Sequence, residues 1–478
     1  MPTKLPRADR QSAEFIREDV IAETLAAGKQ VSGEAVRRII AKGRAAKGLS
    51  LAETAALLQN EDATLQQELF AAAREVKLKI YGKRLVLFAP LYVSDYCLNN
   101  CLYCGYRREN NFRRSRLTQE ELAEEVRILE NLGHKRLALE AGEDPAECSL
   151  EYILECIKTI YSLKFNNGGI RRVNVNIAAT TVEDYARLKA AKIGTYILFQ
   201  ESYHRDTYRR MHPAGPKSDY DWHTTAHHRA MQAGIDDVGF GVLFGLYDYK
   251  FELLAMLMHA LELEETFGVG PHTISVPRLR PALGMTLEQF PYLVPDEDFA
   301  RIVAILRLAV PYTGLILSTR ERAAFRDQLL DLGVSQTSAG SCTGVGGYRR
   351  KDSTAQAEEA ADTPPQFNVE DRRSPDQVLQ SICRAGYLPS YCTACYRQGR
   401  TGDRFMELAK DGKIQDVCQP NAILTFKEYL LDYGSPETKE AGEEAIKLHL
   451  AEIKNDKLRA DTAEKLRRIE EGERDLYL

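Results

Sequence analysis

Eight short apolar segments, separated by stretches of helical period, leave this chain few folds to choose from. They are RLVLFAPLYVSDYC (84–97), KRLALEAG (135–142), RRVNVNIA (171–178), TYILFQES (195–202), DVGFGVLFG (237–245), HTISVPRL (272–279), TGLILSTR (313–320) and VSQTSAGS (334–341). Each is short, and most are rich in β-branched or aromatic residues, which marks a strand. The intervening stretches are amphipathic, and the one at 118–132 opens on a capping box, Thr118 with Glu121. Strands that alternate with helices build a parallel sheet. Eight such units predict an α/β fold with a complete (β/α)8 TIM-type barrel over 84–345; an open doubly wound sheet is the alternative. Residues 1–83 read as an N-terminal helical segment, with a second capping box at Ser50 and Glu53. After the barrel come a glycine-rich turn, GSCTGVGGY, and a polar stretch at 351–366 that reads as loop or boundary. Residues 346–478 form a mostly helical C-terminal domain in this reading.

Lys and Arg total 64 against 69 Asp and Glu, a net charge of −5. A mildly acidic chain offers no electrostatic case for nucleic acid or an anionic membrane. No apolar run reaches membrane-spanning length, and the start, MPTKLPRADRQSAEF, lacks a signal-peptide core. Cytoplasm is therefore the expected location. There the ten cysteines are reduced rather than paired. Six of them fall in two groups, Cys97/Cys101/Cys104 and Cys392/Cys395/Cys418, while Cys148, Cys156, Cys342 and Cys383 are scattered.

The first group has CxxxCxxC spacing on the loop that follows the first strand. Three thiolates on one tight loop bind three irons of a cubane [4Fe-4S] cluster. The fourth iron is left open, as in catalytic rather than structural metal sites. The loop also falls at the C-terminal mouth of a barrel, where such folds place their chemistry. Zinc with a distant fourth ligand is the alternative. With Tyr103 before its last cysteine, the motif resembles that of the radical S-adenosylmethionine (SAM) superfamily. The resemblance implies a cluster whose open iron chelates SAM and whose electron cleaves it to a 5′-deoxyadenosyl radical. Ala141, Gly142 and Glu143, after the second strand, match the family's short Gly-Glu motif for the SAM amino group. Asn174 and Asn176 share the inward face of the third strand, and buried amides need partners, so both are candidate SAM contacts.

The second group, Cys392-Thr-Ala-Cys395 and then Cys418, supplies one thiol fewer than structural zinc requires. It suits a second cubane; zinc remains the alternative, with Cys383 near enough in sequence to be the fourth ligand. Here the resemblance narrows. YCTACYRQGRTGDRFM (391–406), with Cys418 beyond it, resembles the C-terminal motif of the tyrosine-lyase family of [FeFe]-hydrogenase maturases. That family implies cleavage of L-tyrosine to p-cresol and dehydroglycine, and conversion of the latter to carbon monoxide and cyanide on iron for H-cluster assembly. It implies two [4Fe-4S] clusters, the auxiliary one carrying an additional iron linked through a non-protein cysteine and held in part by a histidine. His272, in GPHTISVPRLRP, is the candidate histidine. The implied partners are an electron donor such as ferredoxin or flavodoxin and other hydrogenase maturation proteins, in an anaerobic setting. The implied arrangement puts the two clusters at opposite ends of one internal cavity.

A tyrosine carboxylate calls for arginine. Arg320, with Ser318 assisting, closes the seventh strand and is the candidate; Arg322 is its competitor. One of Gln200 and Glu201 faces inward after the fourth strand, and Glu201 is preferred. MHPAGPK (211–217) resembles the family but receives no role. Two competing functions stand beside this one. A 2-iminoacetate synthase of the thiazole pathway shares the first half of the reaction but lacks the second cysteine group. A non-catalytic iron–sulfur scaffold or carrier needs neither an open cluster site nor Arg320.

Overall fold

The eight segments fold into eight parallel strands: β1 Arg84–Ser94, β2 Arg136–Ala141, β3 Arg172–Asn176, β4 Tyr196–Ile197, β5 Val238–Gly241, β6 Thr273–Ser275, β7 Gly314–Leu317 and β8 Gln336–Ser338. They pair in sequence order, and β1 bonds to both β8 and β2, so the barrel is closed. This computed structural model describes residues 11–352, 363–410 and 413–478. The first ten residues and the central part of the polar stretch 351–366 lie outside the described residues.

Closure buries both faces of every strand. In β1, Leu85, Leu87, Ala89, Leu91 and Val93 are fully buried under the surrounding helices. The alternate residues Val86, Phe88, Pro90 and Tyr92 face the barrel interior. The strands are shorter than the apolar segments that announced them, because the end of each segment leaves the sheet to build the barrel mouth. Glu201 shows how sharply: its φ is +68°, a left-handed conformation unfavourable for a residue with a side chain.

Four helices, Glu18–Gly28, Gly33–Gly43, Leu51–Gln59 and Ala63–Tyr81, precede the barrel and pack on its helices Tyr249–Phe267 and Asp296–Ala309. Both expected capping boxes form, at Ser50/Glu53 and Thr118/Glu121. Among the described residues no helix is long and apolar enough to cross a membrane.

Two features of the C-terminal part have no clear sequence signal. A ninth strand, β9 Leu388–Ser390, pairs with Arg84–Val86 at the start of β1 and so sits under the barrel. Its three residues include Pro389, which a central strand excludes but an edge tolerates. The second feature is a strap at 363–371 that crosses the opposite end. Gly105 N donates to Gln366 O (2.9 Å), Gln366 N to Thr343 O (2.8 Å), and Asp371 N to Thr319 O (3.1 Å). Asp371 anchors it, fully buried between Arg326 and Arg373. Removing one member of a buried ion pair strands the other's charge. Asp371→Ala is expected to lower unfolding stability by about 3–5 kcal/mol, read by denaturant unfolding; a loss under about 1 kcal/mol would contradict this account.

Candidate active site at the two ends of the barrel

Immediately after β1 the chain enters the first cysteine loop, which backbone bonds tie to two neighbouring loops. Leu98 N donates to Glu143 O (2.8 Å), Asn100 N to Ala214 O (3.0 Å) and Leu102 N to Met211 O (3.0 Å). Cys97, Cys101 and Cys104 all line a cavity of about 210 Å³ at the C-terminal mouth. Burial pushes all three thiols up, Cys104 to about 11, so they hold their protons until a metal displaces them. Among the described residues no three His, Cys, Asp or Glu side chains gather closely enough to hold a single metal ion. Three thiols spread around one cavity, with no fourth, suit a cluster with one open corner better than a lone zinc.

Around these thiols stand most of the expected ligand contacts. Tyr103, Ala141, Gly142, Glu143, Asn176, Glu201, Ser318 and Arg320 line the same cavity. At Gly142 a Cβ would meet Tyr96 O at 2.2 Å, so the close approach of the two loops requires glycine. Asn99 Nδ2 donates to Glu143 Oε2 at 2.5 Å and fixes that carboxyl at the cavity edge. The two asparagines of β3 part company. Asn176 lines the cavity and donates to Glu140 Oε2 (2.7 Å), whereas Asn174 lies one inward layer deeper, outside the lining, accepting from Thr195 N (3.0 Å). The shared strand face does not place them at one height: inward residues along a strand are two apart, a spacing of about 6.6 Å.

Arg320 stacks on Phe367 of the strap, 3.3 Å from its ring centroid, and turns its guanidinium to the cavity. Arg322 is exposed and engaged with Asp296 at 2.6 Å. Glu201 faces inward and pairs with Lys217 (2.8 Å), while Gln200 turns away to Thr224 Oγ1 (2.9 Å). Lys217 is the final residue of MHPAGPK, so that segment supplies the counter-charge for Glu201. His212, in the same segment, is held well below the usual imidazole range by burial and by Lys217. Neutral, it donates from Nδ1 to Tyr208 O and accepts at Nε2 from the Tyr103 hydroxyl, each at 2.8 Å.

At the opposite end, β9 delivers Cys392 beneath the barrel, the short helix Ala394–Arg397 carries Cys395, and the helix Ile414–Asp432 carries Cys418. These thiols line a second cavity of about 70 Å³ with His272, Arg84, Arg136 and Arg400. His272 presents a buried Nδ1 with no hydrogen-bond partner, its ring against Phe405 at 4.6 Å. Arg84 Nη1, Arg136 Nε and Arg400 Nε are likewise buried and unpartnered. A hydrogen bond with Cys395 and, against its burial, these three arginines hold the Cys418 thiol below the usual range. Unsatisfied guanidinium groups around three thiols fit an anionic thiolate-bound cluster. Cys383 is buried on the helix Pro375–Arg384 and absent from the lining, so it does not supply the fourth zinc ligand considered from sequence.

The two cavities share no lining residue. On one strand Gln336 faces the lower and Ser338 the upper. The two lie at opposite ends of the barrel interior, with a layer of inward side chains between them. Thr273 fills part of it, occupying the space that a Cβ at Gly239 would need (2.3 Å). Sequence reasoning missed Lys217, Glu140 and Phe367 above and the three arginines below. Isolated residues such as these, several of them outside any strand, carry no spacing signal.

Residues 91–261 match the radical SAM superfamily, and residues 275–388 match the Biotin and Thiamin Synthesis associated domain. The chain superposes on the crystal structure of HydG, a maturase of the [FeFe]-hydrogenase, with a TM-score of 0.94 at 58% identity, covering 98% of this chain and 100% of that one. It superposes on the maturase HydG from Carboxydothermus hydrogenoformans with a TM-score of 0.81 at 42% identity, covering 95% and 99%. The 2-iminoacetate synthase of Salmonella typhimurium is 30% identical over 345 residues, 71% of this chain and 86% of that protein.

Proposed function

Because the chain belongs to the radical SAM superfamily and, within it, to the HydG family of [FeFe]-hydrogenase maturases, a tyrosine lyase, we propose that its two cavities divide the reaction between them. L-Tyrosine is cleaved to p-cresol and dehydroglycine in the upper one. Dehydroglycine becomes carbon monoxide and cyanide in the lower one, for delivery on iron to the hydrogenase H-cluster. The observation that carries this reading is the pair of three-thiol cavities at opposite ends of one barrel.

Cys97, Cys101 and Cys104 would hold the SAM-binding [4Fe-4S] cluster. SAM bound there, given one electron, supplies a 5′-deoxyadenosyl radical. The chain's own part is orientation and exclusion of water. Glu143, fixed by Asn99, faces the SAM amino group, with Asn176 beside it. Arg320 grips the tyrosine carboxylate, with Ser318 next to it and the ring of Phe367 holding the guanidinium flat. The Glu201–Lys217 and Tyr103–His212 pairs wall the cavity with polar groups that are already satisfied. Below, Cys392, Cys395 and Cys418 would hold the auxiliary cluster. The free Nδ1 of His272 suits the additional iron, reached through a non-protein cysteine. A ferredoxin or flavodoxin as electron donor, the other maturation proteins and a cytoplasmic, anaerobic setting complete the proposal.

The test is product release by anaerobically reconstituted protein given SAM, tyrosine and a reductant, with p-cresol and carbon monoxide followed together. Both products in comparable amounts are expected. p-Cresol without carbon monoxide would reduce the reading to a simpler tyrosine lyase, and neither product would overturn the substrate assignment.

A further inference from the structure

A free amino acid carries an ammonium beside its carboxylate. A site that grips only the carboxylate leaves a buried positive charge without compensation. Of the three carboxyl groups in the upper cavity, Glu201 is paired with Lys217 and Glu143 is held by Asn99, which leaves Glu140. Glu140, inward on β2, lines the cavity and takes a hydrogen bond on Oε2 from Asn176 alone (2.7 Å). It feels the charge of Arg320 across the cavity, yet among the described residues neither has an ion-pair partner. A guanidinium and a carboxyl that face one space without pairing are complementary to a zwitterion placed between them.

We propose that Glu140 receives the ammonium group of the amino-acid substrate and takes one proton from it. The inference rests on the reading of tyrosine as substrate. In the transfer an N–H bond breaks, its electron pair stays on nitrogen, and an O–H bond forms on the free Oε1. No electron moves and no co-reactant is needed. The neutral amine has the lone pair that the C=N bond of dehydroglycine requires; an ammonium has none. Burial pushes the Glu140 carboxyl up to about 8, opposed by the Asn176 bond and the Arg320 charge, close to the range of the ammonium it faces, so the ionised form, which grows as pH approaches 8, accepts the proton at little cost. The other titratable groups facing it, Tyr92 from β1 and Tyr106 from the cysteine loop, are themselves held neutral by burial.

Glu140→Gln keeps the shape and the Asn176 contact but can neither balance the ammonium nor take its proton. The experiment is equilibrium binding of tyrosine and of its amine-free analogue 3-(4-hydroxyphenyl)propanoate to reconstituted wild type and variant. The variant is expected to bind tyrosine about 10- to 100-fold more weakly and the analogue within about twofold. Equal losses for both ligands would make Glu140 a shaping residue only, and unchanged tyrosine binding would place the ammonium elsewhere; either overturns the proposal. If wild type binds neither ligand but binds another amino acid that the variant loses, the tyrosine reading fails and the role of Glu140 stands. Wild type that binds no amino acid sinks both. The proton transfer has its own readout in single-turnover p-cresol formation between about pH 6 and 9. Both rates rise with pH, but wild type should level off near pH 8, where Glu140 is ionised, whereas without the internal base only free amine reacts and the variant's rate should keep climbing about tenfold per pH unit to pH 9. Profiles that stay parallel through pH 9, with no levelling in wild type, would rule the transfer out.

Discussion

A Cys392→Ala/Cys395→Ala variant is expected to lose carbon monoxide release by at least about 100-fold while still forming p-cresol. The two thiols lie beneath the barrel, in a cavity that shares no residue with the upper one. Their loss leaves the SAM and substrate contacts in place and removes two of three ligands from the lower metal site. The double substitution also leaves Arg84, Arg136 and Arg400 buried without the thiolates they face, so retained folding must be shown by an unchanged far-UV spectrum. Carbon monoxide at the wild-type level would mean that the second half of the reaction does not belong to the lower site. Loss of both products would mean that the two ends are not chemically separable.

The second large effect is expected at Arg320. Arg320→Leu should lower kcat/KM for p-cresol formation roughly 30- to 5000-fold, the equivalent of about 2–5 kcal/mol for removing one partner of a buried charge pair. Phe367 loses its stacking partner in the same change, so Arg320→Lys is the sharper comparison: it keeps the charge but not the flat fork, and should recover only part of the loss. Arg322→Ala should stay within about twofold, because an exposed pair with Asp296 is worth little. Equal effects at 320 and 322 would show that neither is the carboxylate grip.

Some of this was legible in the chain because it is local. The alternation of apolar strands and amphipathic helices is periodic, and eight repeats of it closed into the barrel with every strand inside its expected segment. The cysteine spacings are local too, and each group converged on one cavity. Glu201 rather than Gln200 facing inward follows strand alternation carried to the barrel mouth, whereas Arg320 and Arg322 share a parity and are separated only by the turn after β7 that takes Arg322 out to Asp296.

What only the tertiary structure decided is non-local. Asn174 and Asn176 are equivalent by alternation, and depth in the barrel separates them. The counter-charge of Glu201 comes from Lys217, sixteen residues on, and the platform under Arg320 comes from Phe367, on a strap beyond the last barrel strand. β9 is too short to announce itself, yet it carries Cys392 to the floor of the barrel opposite Cys97. What lies between the two cavities is set by inward side chains such as Thr273 and Gln336, which come from different strands. Sequence by itself determines which elements form and which ligand atoms each loop carries, since backbone period and residue spacing act over a few residues. Which charges meet and how deep a side chain sits depend on closure of the barrel, which brings together residues hundreds of positions apart.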